Sequence, residues 1–192
     1  MKLEIDILSD PNKFVNEWSQ YYDYGNTELY SKNINSGLSC YDNFLDLFRW
    51  KNGIYNISKN KRIVIERFWS KIQILKKLRK SFDWELFEKE FEPDKSSTIW
   101  KIFLLHIIDP YNFPIFDVHV FRFHHFIING IIEEIPSSQN LKYKYYKELY
   151  RKWFLLLRDK HSLDPKKMDE SFFKFGQILK PLSGLPVSLK EH

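Results

Sequence analysis

The stretch that decides the fold is residues 98–126, TIWKIFLLHIIDPYNFPIFDVHVFRFHHF. Its first eleven residues are almost wholly apolar, which predicts a buried helix. Asp109-Pro110 then predicts the end of that helix, and Pro114 restricts a short extended loop. Asp117 follows as the N-cap of a second helix. The stretch therefore predicts two helices joined by a proline-restricted loop, with an acid at the start of the second helix.

The rest of the chain also predicts helices. Apolar residues recur at helical spacing, and Pro, Gly, Asp and Asn mark the ends. The predicted helices are 11–22, 38–51, 58–82, 83–91, 99–108, 117–128, 141–157 and 166–179. Gly176, on the last of them, predicts a close approach to another helix. The only strand candidate is residues 2–8, in which apolar and charged residues alternate, so the predicted fold class is all-α.

The composition supports a helical core. Hydrophobic residues make up 43% and aromatic residues 18% of the 192 residues, which is ample for a packed interior. With only 6 glycines and 8 prolines, the chain lacks the turn residues of a β-sandwich or β-barrel. The net charge of +5 favours a polyanionic partner, nucleic acid or an anionic membrane surface, although the same charge also aids solubility.

The cellular setting is constrained by a few residues. Cys40 is the only cysteine, which excludes an internal disulfide and a cysteine-based metal site. Lys2, Glu4 and Asp6 interrupt the start of the chain, so no signal peptide is predicted. The apolar segment 99–108 is too short to cross a bilayer. We therefore expect a cytoplasmic protein with no membrane partner.

The segment around Asp117 resembles the helix-hairpin-helix superfamily of DNA glycosylases, especially the adenine-excising and endonuclease III-like branches. In those proteins this loop reads much like FPIxDxxVxR or VDTHxxR, and its aspartate is the essential carboxylate. Residues 113–122 read FPIFDVHVFR here. The resemblance implies that Asp117 is the catalytic carboxylate. Val120 and Arg122 match the helix behind it, and His119 matches a histidine common in the endonuclease III-like branch.

The chain departs from that family at the hairpin. The family's hairpin usually reads LPGVGxxTA, and its glycines let backbone N–H groups approach a DNA phosphate. Residues 91–98 read FEPDKSST here, without a glycine. The resemblance therefore implies a degenerate hairpin, in which Ser96, Ser97 or Thr98 would donate to a phosphate at the helix N-terminus.

The resemblance also bears on whether the DNA strand is cut. Bifunctional members of the superfamily carry a lysine nucleophile at the start of the helix after the hairpin. Counting back from Asp117 without gaps places Ile99 there, and a two-residue shift places Ser97 there. Neither side chain forms an imine, and Lys95 and Lys101 do not match the position. A monofunctional glycosylase, with water as the acceptor, is therefore implied.

Two interpretations of Asp117 stay open. Cleavage of an N-glycosidic bond builds positive charge on the sugar, which a fixed carboxylate stabilises. A helix N-terminus also favours the ionised form of an acid. However, aspartate is a common N-cap residue in any helical protein, so Asp117 is either a catalytic group or a cap alone.

The resemblance further implies a DNA groove and a pocket for a base that has left the stack. The candidates for binding the DNA backbone are basic or polar residues: Lys51, Lys95, Ser97, Lys101 and Arg122. The candidates for the walls of the base pocket are aromatic residues: Trp50, Trp100, Tyr111 and His119. The strongly basic helix 58–82 is either a nucleic-acid footprint or a solvated face.

Histidines cluster after Asp117 without the pattern of a metal site. His124 and His125 are adjacent, so they cannot face the same way on one helix, and no carboxylate-histidine motif accompanies them or His119. We predict no metal and no small-molecule cofactor.

These observations predict an all-α, two-lobed helix-hairpin-helix glycosylase-like fold with a degenerate hairpin. The chain 1–192 is expected to form a single domain, with a central lobe at about 38–130 and a second lobe of N- and C-terminal helices. The expected function is excision of a damaged or hypermodified base from DNA by a monomer, in repair or in defence against phage.

Three alternatives stay open. A non-catalytic nucleic-acid-binding module would keep the scaffold and bind by charge, as the missing hairpin glycines favour. A helical protein-interaction or toxin-like domain would instead pair its basic helix with an acidic partner. A helical ribonuclease would use Arg122 with a neighbouring histidine.

Overall fold

The computed structural model describes residues 9–53, 55–91 and 98–182. Within these ranges every regular element is helical and no strand occurs, so the all-α prediction is confirmed. The strand candidate at residues 2–8 lies outside the described residues. No helix in the described ranges is long and apolar enough to cross a membrane.

The elements are numbered in chain order. They are α1 (Pro11–Ser19), α2 (Thr27–Asn33), α3 (Tyr41–Asn52), α4 (Lys59–Trp69), α5 (Ile72–Lys80), α6 (Trp84–Glu90), α7 (Thr98–Ile108), α8 (Val118–Asn129), α9 (Gln139–Tyr145), a π-helical segment (Tyr146–Tyr150), α10 (Arg151–His161), α11 (Pro165–Leu179) and a short 3₁₀ turn (Lys180–Leu182). Aspartates cap four of these helices at their N-termini: Asp10, Asp83, Asp117 and Asp164.

The prediction of one long helix over 58–82 is wrong, because α4 and α5 are separate helices. The chain turns between them at Ser70 and Lys71, where the Lys71 backbone (φ −104°, ψ 27°) leaves helical geometry. The Ser70 hydroxyl donates to the Arg67 carbonyl at 2.8 Å. A hydroxyl that binds a nearby carbonyl competes with the helical hydrogen bonds and bends the chain.

Helix α2 is not predicted by the sequence analysis. Its N-cap, Asn26, has a left-handed backbone (φ 60°) and makes no side-chain cap hydrogen bond. Asn33 is the only buried residue of α2, so the helix lacks the apolar stripe by which a helix is recognised. Glu28 and Lys32 form an exposed ion pair one turn apart.

The predicted helix 141–157 is longer and contains a π-helical segment. Helix α9, the π segment and α10 follow one another without a break from Gln139 to His161. Tyr146 and Tyr150, at the two ends of the π segment, are both fully buried. A π segment widens the helix locally, and apolar periodicity alone does not predict it.

The described residues fall into two compact units. The central unit is Tyr24–Phe113, and the terminal unit combines the described parts of Met1–Asp23 and Pro114–His192. The predicted bounds of the central lobe are about 38–130. In the structure α8 groups with the terminal helices, whereas α2 groups with the central ones.

The core of the central unit forms around α7, in which every residue from Lys101 to Ile108 is buried. A helix buried on all sides needs apolar residues on every face, which explains an apolar run interrupted only by Lys101 and His106 within residues 99–108. The other buried aromatic and aliphatic side chains of this unit include Phe44, Leu47, Phe48, Ile65, Phe68, Leu75, Leu78 and Phe87.

The core of the terminal unit forms where α8 packs against α11. A β-carbon at Gly176 would overlap the carbonyl group of His119, so only glycine permits this approach. The prediction of a close helix approach at Gly176 is therefore confirmed. Beside the crossing, the rings of Phe123 and Phe172 stack with centroids 4.4 Å apart, and Phe14 packs on Phe123 at 5.8 Å.

Candidate active site

Asp117 caps helix α8 with its side chain. Its Oδ1 accepts the backbone N–H groups of His119 at 2.9 Å and Val120 at 3.1 Å. These are N–H groups that the start of a helix leaves without helical partners. The predicted cap is confirmed, and the side chain is neither fully buried nor fully exposed. Backbone donors favour the charged carboxylate over the neutral acid.

The loop that delivers Asp117 is held by side chains from two other elements of the terminal unit. The backbone N–H of Ile115 donates to the Asp169 carboxylate of α11, at 3.1 Å to Oδ1. The hydroxyl of Tyr146 donates to the Pro114 carbonyl at 3.3 Å. Both side chains are buried, and so are Pro114 and Phe116. The position of Asp117 is therefore fixed by buried contacts as well as by its own helix.

Two buried tyrosines lie under this loop. The ring of Phe116 lies 5.6 Å from that of Tyr146 and 5.4 Å from that of Tyr150. Burial raises the pKa of both phenols well above their ordinary value, and the charge of Asp169 adds to the increase for Tyr150. The Tyr150 hydroxyl is buried and has no hydrogen-bond partner among the described residues. Both tyrosines are therefore neutral and keep their protons.

Arg122 and His119 lie on the face of α8 that meets α11. Arg122 is 1% exposed, and its guanidinium donates to the Gly176 carbonyl at 3.1 Å and to Glu134 at 2.7 Å. It also lies 3.2 Å from Nδ1 of His119. Arginine has no acceptor, so it is the donor in this contact and Nδ1 is unprotonated. Burial lowers the pKa of His119, although the charge of Asp117 opposes that shift.

Arg122 and His119, two of the predicted site residues, both contact α11. Arg122 is predicted to bind the DNA backbone, but in the structure its guanidinium is covered and fastens α8 to α11. His119, assigned to the base pocket, packs edge-on against Phe173 at 5.0 Å. Both residues therefore hold the first turns of α8, directly behind Asp117.

In the central unit, Trp50 and Lys51 lie in an aromatic cluster. The Trp50 ring packs against Tyr30 at 4.5 Å, Tyr24 at 5.4 Å and Phe103 at 5.8 Å. The Lys51 ammonium lies 6.0 Å from the centre of the Phe103 ring. The indole N–H of Trp50 is buried and has no hydrogen-bond partner among the described residues. An unpaired buried donor is uncommon and requires an explanation.

A buried histidine holds one wall of this aromatic cluster. Nδ1 of His106 lies 2.7 Å from the Phe113 carbonyl, and its Nε2 lies 2.7 Å from the Tyr30 hydroxyl. The carbonyl can only accept, so Nδ1 carries the proton and Nε2 accepts from Tyr30. Burial lowers the pKa of His106 to about 4, which keeps the ring neutral at physiological pH. Tyr30 is thereby fixed beside Trp50.

The remaining candidates are placed separately. Lys101 is 2% exposed, and its ammonium lies 5.5 Å from the centre of the Phe87 ring. Trp100 is partly exposed and packs on Phe48 at 5.2 Å, whereas Tyr111 is 54% exposed in the turn after α7. Lys95 and Ser97, with the degenerate hairpin itself, lie outside the described residues.

The histidines after His119 make separate contacts. His124 bonds the Tyr145 hydroxyl, whereas His125 lies 3.1 Å from the Ile131 carbonyl. Burial lowers the pKa of His124 to about 4. Within the described ranges, no three His, Cys, Asp or Glu residues form a group that suits a metal ion.

Sequence reasoning missed Asp169, Tyr146 and Tyr150. Asp169 had a recognisable signal, because it is an acid on the apolar face of α11, three residues before the buried Phe172. Tyr146 and Tyr150 had no recognisable signal in the sequence, because their positions under the loop depend on the π segment.

Comparison with known proteins adds no family assignment. No protein-family model matches the chain, and no curated protein or solved structure with a significant similarity was found.

Proposed function

We propose that this protein is a monofunctional DNA glycosylase, in which Asp117 stabilises the positive charge that develops on the sugar. The observation that carries the proposal is the placement of this carboxylate. It is partly exposed at the start of α8, it receives two backbone N–H groups, and its loop is anchored to the buried Asp169 and Tyr146. A helix cap alone does not need an anchored loop.

The proposed chemistry requires a carboxylate that is already ionised and does not move. In an oxocarbenium-like transition state the sugar gains positive charge as the bond to the base breaks. A charge held in place by backbone donors stabilises that state without reorganisation. As the C1′–N bond breaks, the oxygen of a water molecule bonds to C1′, one proton of that water ends on the released base, and the strand keeps an abasic site. The resemblance of residues 113–122 to the glycosylase motif agrees with this role.

The aromatic cluster of the central unit supports the expectation of a base site. Tyr24 and Tyr30 are partly exposed and are side chains of the kind on which a flat heterocycle stacks, whereas the Trp50 ring is buried against them. We therefore propose Tyr24, Tyr30 and Lys51 as nucleic-acid contacts of the central unit, with Trp50 packed against the two tyrosines.

The buried cations take a different part in this proposal. Arg122 is a positioning residue, since it fixes the first turns of α8 through Gly176 and His119. Lys101 is covered by Phe87 and other core residues, so we propose a packing role for it in this conformation.

The test is release of free base from DNA. Wild type, Asp117→Asn and Asp83→Asn are incubated with duplexes carrying uracil, oxidised, alkylated, mismatched or phage-type hypermodified bases. Asp83 is a matched control because its Oδ1 likewise accepts two backbone N–H groups at the start of a helix, those of Glu85 and Leu86 in α6. Asparagine is also a good N-cap, so each variant loses the charge but keeps the cap.

We expect wild type and Asp83→Asn to release base from one member of the panel and to leave abasic sites. Asp117→Asn is expected to be slower by about a hundredfold or more, the usual size of a lost electrostatic contribution in an active site. Equal rates in all three proteins would overturn the role of Asp117. Tight DNA binding by all three without any release would instead support the non-catalytic binding module.

A further inference from the structure

A shallow groove of about 590 Å³ lies in the central unit, between α5 and the turn that joins α2 to α3. One wall is formed by the basic residues of α5, namely Lys76, Lys77, Arg79 and Lys80. Asn35, from the turn, and Gln73, from the first turn of α5, add side-chain amides. None of the described residues that line the groove is acidic. The groove therefore has a strongly positive wall.

Arg79 differs from the three lysines because its guanidinium is used to build the groove. It donates to the carbonyl of Ile107 at 2.6 Å and to that of Ile108 at 3.2 Å, at the end of α7. It also donates to the Asn35 carbonyl at 3.1 Å. Partial burial lowers the pKa of Arg79, although arginine stays charged. Arg79 thus joins α5 to α7 and to the α2–α3 turn.

The three lysines have no such partners. Lys77 and Lys80 are exposed and Lys76 is partly exposed, and none pairs with an acid in the described part of the chain. Lys76 and Lys80 lie one turn apart on α5, where like charges destabilise a helix. The dipole at the helix C-terminus favours cations there but supplies no counter-charge. A bound anion would relieve this repulsion.

We propose that this groove binds the phosphates of a nucleic-acid backbone. A site for one small phosphorylated molecule encloses its ligand, whereas this groove is open and spreads three cations along it. Lysines and neutral amides that face an open groove suit successive phosphodiesters and carry no base preference. The proposal rests on the proposed function only in taking DNA as the partner, since no groove residue is assigned to base release.

The test is salt-dependent binding to a fluorescent 20-base-pair duplex, followed by anisotropy. The groove variant is Lys76→Gln, Lys77→Gln and Lys80→Gln together. The control variant combines Lys89→Gln, Lys152→Gln and Lys160→Gln, three exposed lysines of α6 and α10. Both variants change the net charge equally, and circular dichroism with a thermal melt checks that each is folded.

We expect the groove variant to bind at least about tenfold more weakly at about 0.1 M salt. Its slope of log affinity against log salt should become shallower by about 2 to 3, since each lysine–phosphate contact contributes about 0.9. The control variant should lose less than about threefold and keep the slope.

Equal losses in both variants would overturn the groove, because net charge alone would then explain the binding. An unchanged groove variant would overturn it as well. If wild type binds phosphatidylserine vesicles but not the duplex, the proposal is overturned and the partner is an anionic lipid surface. If no DNA releases base yet the groove variant alone loses binding, the glycosylase proposal fails and the groove stands. If base release depends on Asp117 but the groove variant binds DNA as wild type does, the groove proposal fails and the glycosylase proposal stands.

Discussion

Asp117 and Asp83 begin two helices in the same way. In each case Oδ1 accepts backbone N–H groups two and three residues ahead, at 2.9 and 3.1 Å for Asp117 and at 2.9 and 3.2 Å for Asp83. Their surroundings differ. Asp83 is exposed, whereas Asp117 is partly buried and follows the buried Phe116. Hydrogen-bond geometry therefore does not separate a candidate catalytic acid from an ordinary cap.

The difference lies in what holds the residues around the acid. Behind Asp117, Arg122 and the glycine at 176 fasten α8 to α11, and Asp169 fastens the loop in front. Two observations thus distinguish Asp117 from Asp83: an anchored loop before the acid and a close helix crossing behind it. The anchored loop and the helix crossing can each be disrupted by a separate substitution.

The largest expected effect comes from the helix crossing. Gly176→Ala places a β-carbon against the His119 carbonyl, whereas Gly25→Ala meets no atom within 4 Å. Because backbone cannot move aside as a flexible side chain can, we expect Gly176→Ala to lower the free energy of unfolding by about 3 kcal/mol or more. Gly25→Ala should change it by less than about 1 kcal/mol. Urea denaturation of both variants measures the difference, and similar curves would contradict the close crossing.

A smaller effect is expected at the anchored loop. Asp169→Ala removes the acceptor of the Ile115 N–H and should cost about 2 kcal/mol, because a partly buried donor is left unpaired. Asp169→Asn retains an acceptor oxygen and should cost less than half as much. Urea denaturation gives both values. If the asparagine variant is as unstable as the alanine variant, the charge of Asp169 matters more than its hydrogen bond.

The smallest effect concerns the two caps themselves. Asp117→Ala and Asp83→Ala should each lose about 1 kcal/mol of stability, since each removes one side-chain cap. Near-equal losses in thermal or urea unfolding, together with unequal effects on base release, would show that stability and activity separate at Asp117. A much larger loss at Asp117 would instead indicate that its main role is structural.

The local features of the fold could be predicted from the sequence. Helices α7 and α8 and the Asp117 cap follow from an apolar run, a proline-restricted loop and an aspartate, all within 30 residues. The break between α4 and α5 could not be predicted, because the apolar spacing continues across Ser70. Helix α2 was not predicted, because Asn33 is its only buried residue and it therefore shows no apolar periodicity.

The candidate site could be predicted only in part, for a related reason. Asp117 was identified by the residues next to it in the chain. Asp169 contacts Ile115 across 54 residues, and Arg122 contacts Gly176 across the same separation. Such partners depend on how α8 and α11 pack. Local patterns in the sequence do not reveal which distant residues that packing brings together. Arg122 was therefore expected at a DNA surface, although the helix crossing buries it.

The π segment at Tyr146–Tyr150 changes the phase of the helix that contains it. An α-helix advances about 100° per residue, so one additional residue in a wider turn rotates everything that follows by about that angle. The apolar patterns of α9 and α10 therefore belong to two different registers. A relative without the π segment would need one residue fewer between Gln139 and His161 to keep Phe154 buried. An ungapped alignment across this helix would then pair buried positions with exposed ones.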